Sequence, residues 1–287
     1  MDTDVDIQRG RIPRVGHINF LNVLPLTYRF AHGGGEGMDI VQDVPSALNK
    51  AIQEGRLDVS PVSSIVYARH AEHLLLLPDI CIRSDADVQS IVLVSRVPIE
   101  AIGEGKVILT AKSATSHCLL KTLLSMGYGA GPKYEIHSIG PEDPVPGDAT
   151  AALFIGDDAL YLYHHCPEGL FCYDLGKEWR AFAGRPMVYA VWVARREFAA
   201  AFPEQLRMVH SCIVRGMQEG LAQKDAAIRS VLEHKPFTYA QLDEYLGTVI
   251  RWDLTEEHLE DLRTFYRLCH RMGLIDCVPE LEMARLP

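Results

Sequence analysis

An asparagine set between a strand end and a helix start is the first group in this chain placed to do chemistry. In RVGHINFLNVLPLTY (14–28) an apolar run meets a polar stop at Asn19 and Asn22. Pro25 then takes a first-turn helix position, where a missing N–H costs nothing. Asn22 carries an amide that both donates and accepts hydrogen bonds; the ordinary alternative for such a residue is a turn or a helix cap. KSATSHCLL (112–120) brings Ser113, Thr115 and Ser116 to a second helix start. That is more hydroxyl than capping requires, and backbone N–H groups with a helix dipole behind them suit a carboxylate. FIGDDAL (154–160) places Gly156 and Asp157 after a buried strand. The glycine lets a ligand approach the backbone closely, while Asp157 and Asp158 could equally just open a helix. Ser90 interrupts an apolar strand, and Ser63 and Ser64 end another; most such serines are satisfied by backbone. His17, beside the first strand end, reads as structural rather than catalytic. These hydroxyls, amides and helix starts describe a site for a small carboxylate.

The elements that must hold these groups are α/β in order. Strands are expected over 14–20, 39–44 and LDVSPVSS (57–64), with helices from Pro25 and over PSALNKAIQEG (45–55) between them and a GGGEG turn at 33–37. This order predicts a largely parallel sheet with ligand-facing residues at the carboxyl ends of its strands. KVILT (106–110), the helix from Ser113, and strands at 134–139 and 150–155 make a second such unit. Two long apolar strands, VQSIVLVSR (88–96) and MVYAVWVAR (187–195), flank it. Read as paired crossovers and hinges, they divide the chain into lobe I (1–95 and 193–287, with the C-terminal helices) and lobe II (96–192), with a ligand cleft between the lobes. Beyond 195 the pattern turns helical. Leu206, Val209, Ile213, Met217 and Leu221 form one stripe, Thr238 and Gln241 form a capping box, and a last amphipathic helix ends at Gly273.

Composition narrows the partners. The formal net charge of −10 speaks against nucleic acid and anionic membrane surfaces, which attract clustered Lys and Arg. No stretch approaches the roughly 20 apolar residues of a membrane span. The acidic start MDTDVDIQRGRI has no apolar run and is not a secretory signal. The seven cysteines have no CxxC and no zinc spacing, so all are expected reduced, in a cytoplasmic protein. No carboxylates stand at metal-ligand spacing, and neither GGGEG nor any GxGxxG makes a phosphate loop. The expectation is a small-molecule ligand, no metal and no cofactor, in a monomer or homodimer.

Taken in order, VGHINFLNVLPL, LDVSPVSS, SATSHCLLKTLL, ALFIGDDAL and YDLGKEWRAFAGRPMVYAVWVAR closely resemble the chorismate dehydratase family of the futalosine route to menaquinone, over about Arg14 to Leu274. The resemblance implies a periplasmic-binding-protein type II-like fold, the two-lobed clamp just described. It implies that chorismate loses water to give 3-[(1-carboxyvinyl)oxy]benzoate without a cofactor. By position it carries the family's key asparagine onto Asn22, its active-site serine onto Ser90, and the hydroxyl pair that receives a carboxylate onto Thr115 and Ser116. Phe20, Ser63, Ser64, Ser113, Gly156 and Asp157 complete the expected substrate-binding set. The related 1,4-dihydroxy-6-naphthoate synthase has a histidine in an IHEGR-like motif where this chain reads FIGDDAL. A non-catalytic cytoplasmic carboxylate-binding protein is the alternative from another class.

Overall fold

A computed structural model describes residues 11–286; the acidic stretch 1–10, read above as no signal, lies outside the described residues. Two sheets organise the chain. The first begins with β1 (Arg14–Ile18), whose Val15 and Ile18 are buried. A 3-10 turn (Leu21–Val23) and α1 (Leu24–Arg29) follow, with Pro25 in the first turn as expected. β2 (Asp39–Asp43), α2 (Pro45–Gln53), β3 (Val59–Ser63), α3 (Ser64–His70) and β4 (Leu74–Ser84) complete the first passage through this sheet. Gly55, at φ +71°, ends α2 in the left-handed conformation that glycine adopts without a Cβ penalty.

The second sheet holds β5 (Ile91–Ser95), β6 (Lys106–Thr110), β7 (Lys133–His137), β8 (Ala151–Ile155) and β9 (Phe171–Asp174) in the order β7-β6-β8-β5-β9. Its helices are α4 (Thr115–Thr122), which runs on into a wider π-helical turn (Leu123–Gly127), α5 (Gly156–His164) and α6 (Leu175–Ala183). The chain then returns to the first sheet through β10 (Met187–Arg195). It finishes with α7 (Arg196–Ala201), α8 (Pro203–Ala222), α9 (Lys224–Arg229), α10 (Tyr239–Glu244), β11 (Ile250–Arg251) and α11 (Glu256–Arg271). The first sheet runs β11-β4-β10-β3-β1-β2. β1 pairs parallel with β2 and β3, while β10 runs antiparallel to β3 and β4, so only this first part fits the expected parallel order.

Two corrections follow from the sheets. VQSIVLVSR and MVYAVWVAR are not a matched pair: Ile91–Ser95 lies inside the second sheet and Met187–Arg195 inside the first. The partner of β10 is β4, whose eleven residues (LLLLPDICIRS) carry Pro78 and Asp79 in their middle and so lack a strand's uninterrupted pattern. Boundaries at 95/96 and 192/193 would sever β5 from the sheet it joins and cut through β10. The passages between sheets are instead 85–90 and 184–186, and Ser84 lies opposite Met187 where they begin.

The second correction concerns the cysteines. Cys166 and Cys172 form a disulfide with their Cα atoms 6.0 Å apart, whereas Cys81, Cys118, Cys212, Cys269 and Cys277 are free. The turn from α5 to β9 brings the pair together, a closeness that sequence spacing does not display.

The C-terminal helices cap the first sheet. Leu206, Val209, Ile213 and Met217 of α8 are buried, as their stripe predicts, while Leu221 is only half-buried. Thr238 and Gln241 make the expected reciprocal capping box on α10. Among the described residues no helix is long and apolar enough to cross a membrane.

Candidate functional site

Between the sheets lies a cavity with about 560 Å³ of empty space, partly continuous with solvent. Phe20, Asn22, Ser63, Ser90, Ser113, Thr115, Ser116 and Gly156 line it, eight of the ten residues singled out from sequence. Ile18, Ile82, Val88, Ile91, Ile155, Ala190 and Ile250 give it apolar walls, and Pro45 and Tyr189 close the ring. Both lobes contribute, because β1, β3 and the β4–β10 pair bring up one wall while β5, α4 and α5 bring up the other.

Asn22 sits in the 3-10 turn after β1. Its main-chain carbonyl accepts from the Trp252 indole at 2.9 Å. Its side-chain Oδ1 is buried and has no protein partner. A buried acceptor left unpaired costs roughly 1–3 kcal/mol, so its lone pairs are unspent within the protein. Ser116 Oγ is likewise buried and unpartnered. It stands in the first turn of α4, and no side chain caps that helix at Ala114. Ser116 is thus a hydroxyl at this helix start that capping does not use. Thr115 is engaged across the lobes: its Oγ1 accepts from the Ile65 N–H at 3.2 Å and lies 3.3 Å from Ser64 Oγ.

Of the other lining serines, Ser63 and Ser90 are held by buried donors. Asn49 Nδ2 donates to Ser63 Oγ at 3.1 Å, while Asn49 Oδ1 takes the Ser63 N–H at 3.0 Å. Tyr245 donates its hydroxyl to Ser90 Oγ at 2.8 Å. Ser90 stands at the end of a tight turn, where its N–H meets the Val88 carbonyl at 2.6 Å and Gln89 is forced to φ +56°. A non-glycine residue there is strained and needs outside support. Asp174 supplies it: its carboxylate accepts from the N–H groups of Val88, Gln89, Gly176 and Lys177, so one side chain caps α6 and fixes the Ser90 turn. Burial pushes the Asp174 carboxyl up to about 6, against the pull of those N–H groups.

Gly156 opens α5 at φ +66°, and a Cβ there would lie 2.8 Å from the Phe20 ring. Glycine is required on both counts, backbone and space. Ser64 and Asp157 are not in the cavity. Ser64 Oγ is fully buried against Thr115. Asp157 turns to lobe I, taking the Leu21 N–H at 2.9 Å and the Lys235 ammonium at 2.6 Å. His17 is structural: its Nε2 meets Thr27 Oγ1 at 2.7 Å beneath α1, and burial lowers its pKa to about 4.

Asn49, Asp174, Tyr245 and Trp252 support the site and were missed in the sequence. Each acts from another element, and none stands in a pattern that its sequence neighbours reveal. Among the described residues no Lys, Arg, His, Asp or Glu lines the cavity. The one titratable lining group is Tyr189, which burial holds well above its ordinary value and which is 2.9 Å from Ser84 Oγ. No group of three side chains that could hold a metal gathers among the described residues. The cavity thus offers neutral donors, an unpaired amide oxygen and helix N-termini to an anionic ligand with an apolar body.

A family model described as menaquinone biosynthesis matches residues 13–271. Chorismate dehydratase of Thermus thermophilus is 34% identical over 197 residues, covering 64% of this chain and 70% of that protein. Among solved structures, protein AF1704 from Archaeoglobus fulgidus is similar at a TM-score of 0.71 and 18% identity, over 92% of this chain and 98% of that one. The Candida albicans CA3427 gene product, described as having the generic periplasmic binding protein fold, is similar at 0.69 and 11% identity, over 96% and 98%. The alkanesulfonate-binding protein SsuA from Xanthomonas axonopodis pv. citri, bound to MOPS, is similar at 0.62 and 14% identity, over 95% and 96%. The fold is therefore that of the periplasmic binding proteins, two α/β lobes around a cleft.

Proposed function

The chain belongs to the menaquinone-biosynthesis family, and from that premise we propose that it is a cytoplasmic carbon–oxygen lyase that converts chorismate to 3-[(1-carboxyvinyl)oxy]benzoate and water. Chorismate is an anion with two carboxylates, a hydroxyl and a cyclohexadiene ring. Breaking the C4–O and C3–H bonds makes that ring aromatic, so the reaction runs strongly downhill. The protein's task is to orient the ring, stabilise developing charge and exclude rearrangement and pyruvate loss.

The apolar walls take the ring. Ser116 and the uncapped first turn of α4, with Ser113 and Thr115 beside them, take one carboxylate. Asn22 Oδ1 accepts from the C4 hydroxyl and fixes its direction of departure. Ser63 and Ser90, whose oxygens already accept from Asn49 and Tyr245, have hydrogens to give to the departing oxygen or the enolpyruvyl group. The C3 proton passes to a carboxylate of the substrate itself and leaves with the hydroxyl as water. No described lining side chain titrates near neutrality to take it.

The observation that carries this reading is the pairing of two unpartnered buried atoms, Asn22 Oδ1 and Ser116 Oγ, within one uncharged interlobe cavity. Incubation of the purified protein with chorismate and no added cofactor tests it. A product lighter by one water is expected. Binding without conversion would assign a carboxylate-binding protein, and activity on cyclic dehypoxanthine futalosine alone would assign the naphthoate synthase.

A further inference from the structure

Tyr245 lies in the π-helical turn Tyr245–Val249 that follows α10, and its hydroxyl ends on Ser90, the last residue of the 85–90 passage between the sheets. Its side chain is buried among apolar residues, 1% exposed. Burial raises its phenol far above the ordinary value, so it stays protonated through the neutral range. In this bond it is the donor, and Ser90 Oγ accepts. The hydrogen of Ser90 then has only the Val88 carbonyl, at 3.2 Å, and that carbonyl already holds the Ser90 N–H at 2.6 Å. A serine whose acceptor side is filled and whose own hydrogen is loosely held can turn that hydrogen toward a cavity ligand.

We propose that Tyr245 is the positioning residue for Ser90: it commits the serine hydroxyl to donate toward the substrate. The strained turn at Gln89 and its Asp174 anchor hold the Ser90 backbone in place, so the hydroxyl rotor is the degree of freedom left for Tyr245 to fix.

This inference rests on the dehydratase reading of the cavity. Tyr245→Phe keeps the ring and removes only the hydroxyl, and a thermal melt recorded first establishes that each variant is folded. We expect kcat with chorismate to fall about tenfold, the size of one neutral hydrogen bond, with KM nearly unchanged. Ser90→Ala lowers kcat as well, and adding Tyr245→Phe to it produces no further loss, since there is no hydroxyl left to orient. The same four proteins are titrated calorimetrically with 3-[(1-carboxyvinyl)oxy]benzoate, and the same lack of additivity is expected in its affinity. A wild-type kcat in Tyr245→Phe, or an equal loss in the Ser90→Ala background, overturns the proposal while leaving the dehydratase reading intact. Wild-type protein that neither converts chorismate nor binds that product overturns the reading, and the proposal with it.

Discussion

Asn22 and Ser116 share a condition rare in folded proteins, a buried polar atom with no partner. Such atoms are kept at a cost in stability, so removing them should separate function from folding. Asn22→Ala is expected to lower kcat on the order of 10²–10³-fold, the usual loss for one preorganised polar group, with a thermal midpoint close to wild type. A near-normal kcat would remove Asn22 from the mechanism. Ser116→Ala is expected to act differently, raising KM for chorismate more than it lowers kcat, because a carboxylate contact exists in the ground state too. Its melting temperature should stay level or rise, since the unpaired hydroxyl is gone. Both residues could be picked out from their sequence neighbourhoods. That Ser116 rather than Thr115 is the free hydroxyl could not, because the Ile65 N–H that occupies Thr115 comes from fifty residues earlier in the chain.

At the scale of elements, three contacts bring lobe II onto lobe I near the cavity. Gly156 packs on Phe20, Asp157 takes the Leu21 N–H and Lys235, and Thr115 takes the Ile65 N–H. The Asp157–Lys235 pair is partly exposed, so its worth to overall stability is small, about 0–1 kcal/mol. Its effect should appear in closure instead: Lys235→Met is expected to raise KM severalfold in steady-state assays while the unfolding midpoint barely moves. Gly156→Ala meets both a left-handed backbone and the Phe20 ring, so a larger rise in KM is expected, with a measurable loss of stability. The strand-to-helix punctuation of β1, α1, β6 and α4 was legible because Pro25, KVILT and the Ser113–Ser116 cluster are local signals. β4 was not, since Pro78 and Asp79 mask a strand that pairs with β10 on either side of them, at 74–76 and 81–84.

For the molecule as a whole, the clamp and its protonation behaviour are the measurable properties. Scattering profiles recorded with and without 3-[(1-carboxyvinyl)oxy]benzoate should differ if the lobes open about 85–90 and 184–186; superimposable profiles would remove lobe closure from the mechanism. His17 makes stability depend on pH in a definite direction. Its folded pKa is near 4 against 6.5 when exposed, so between those values the unfolded chain binds a proton that the folded one refuses. Its contribution is intact above pH 6.5 and lost as the pH falls to 4, on the order of 3 kcal/mol. Asp174 acts with the opposite sign. Raised from 3.8 to about 6, it favours the folded state most below pH 3.8, and that advantage disappears as the pH rises through 6. The two partly cancel in the wild type. His17→Asn should therefore gain stability relative to wild type on going from pH 7 to pH 4.5, as measured by urea midpoints. A constant difference across that range would contradict burial of a neutral imidazole.

Local chemistry in the chain was enough to nominate the amide, the hydroxyls and the helix starts, because proline, glycine and clustered serines act over a few residues. The ordered motifs were enough to indicate the family. Only the tertiary structure decided which oxygens are left unpaired, which strands form the connection, and that two cysteines are joined. Those outcomes depend on partners such as Asn49, Asp174, Tyr245 and Trp252, brought up by sheets that join distant parts of the chain. Asn22 is the clearest case: its sequence setting marks it as capable of binding, and the folded cavity leaves its side-chain oxygen without a partner.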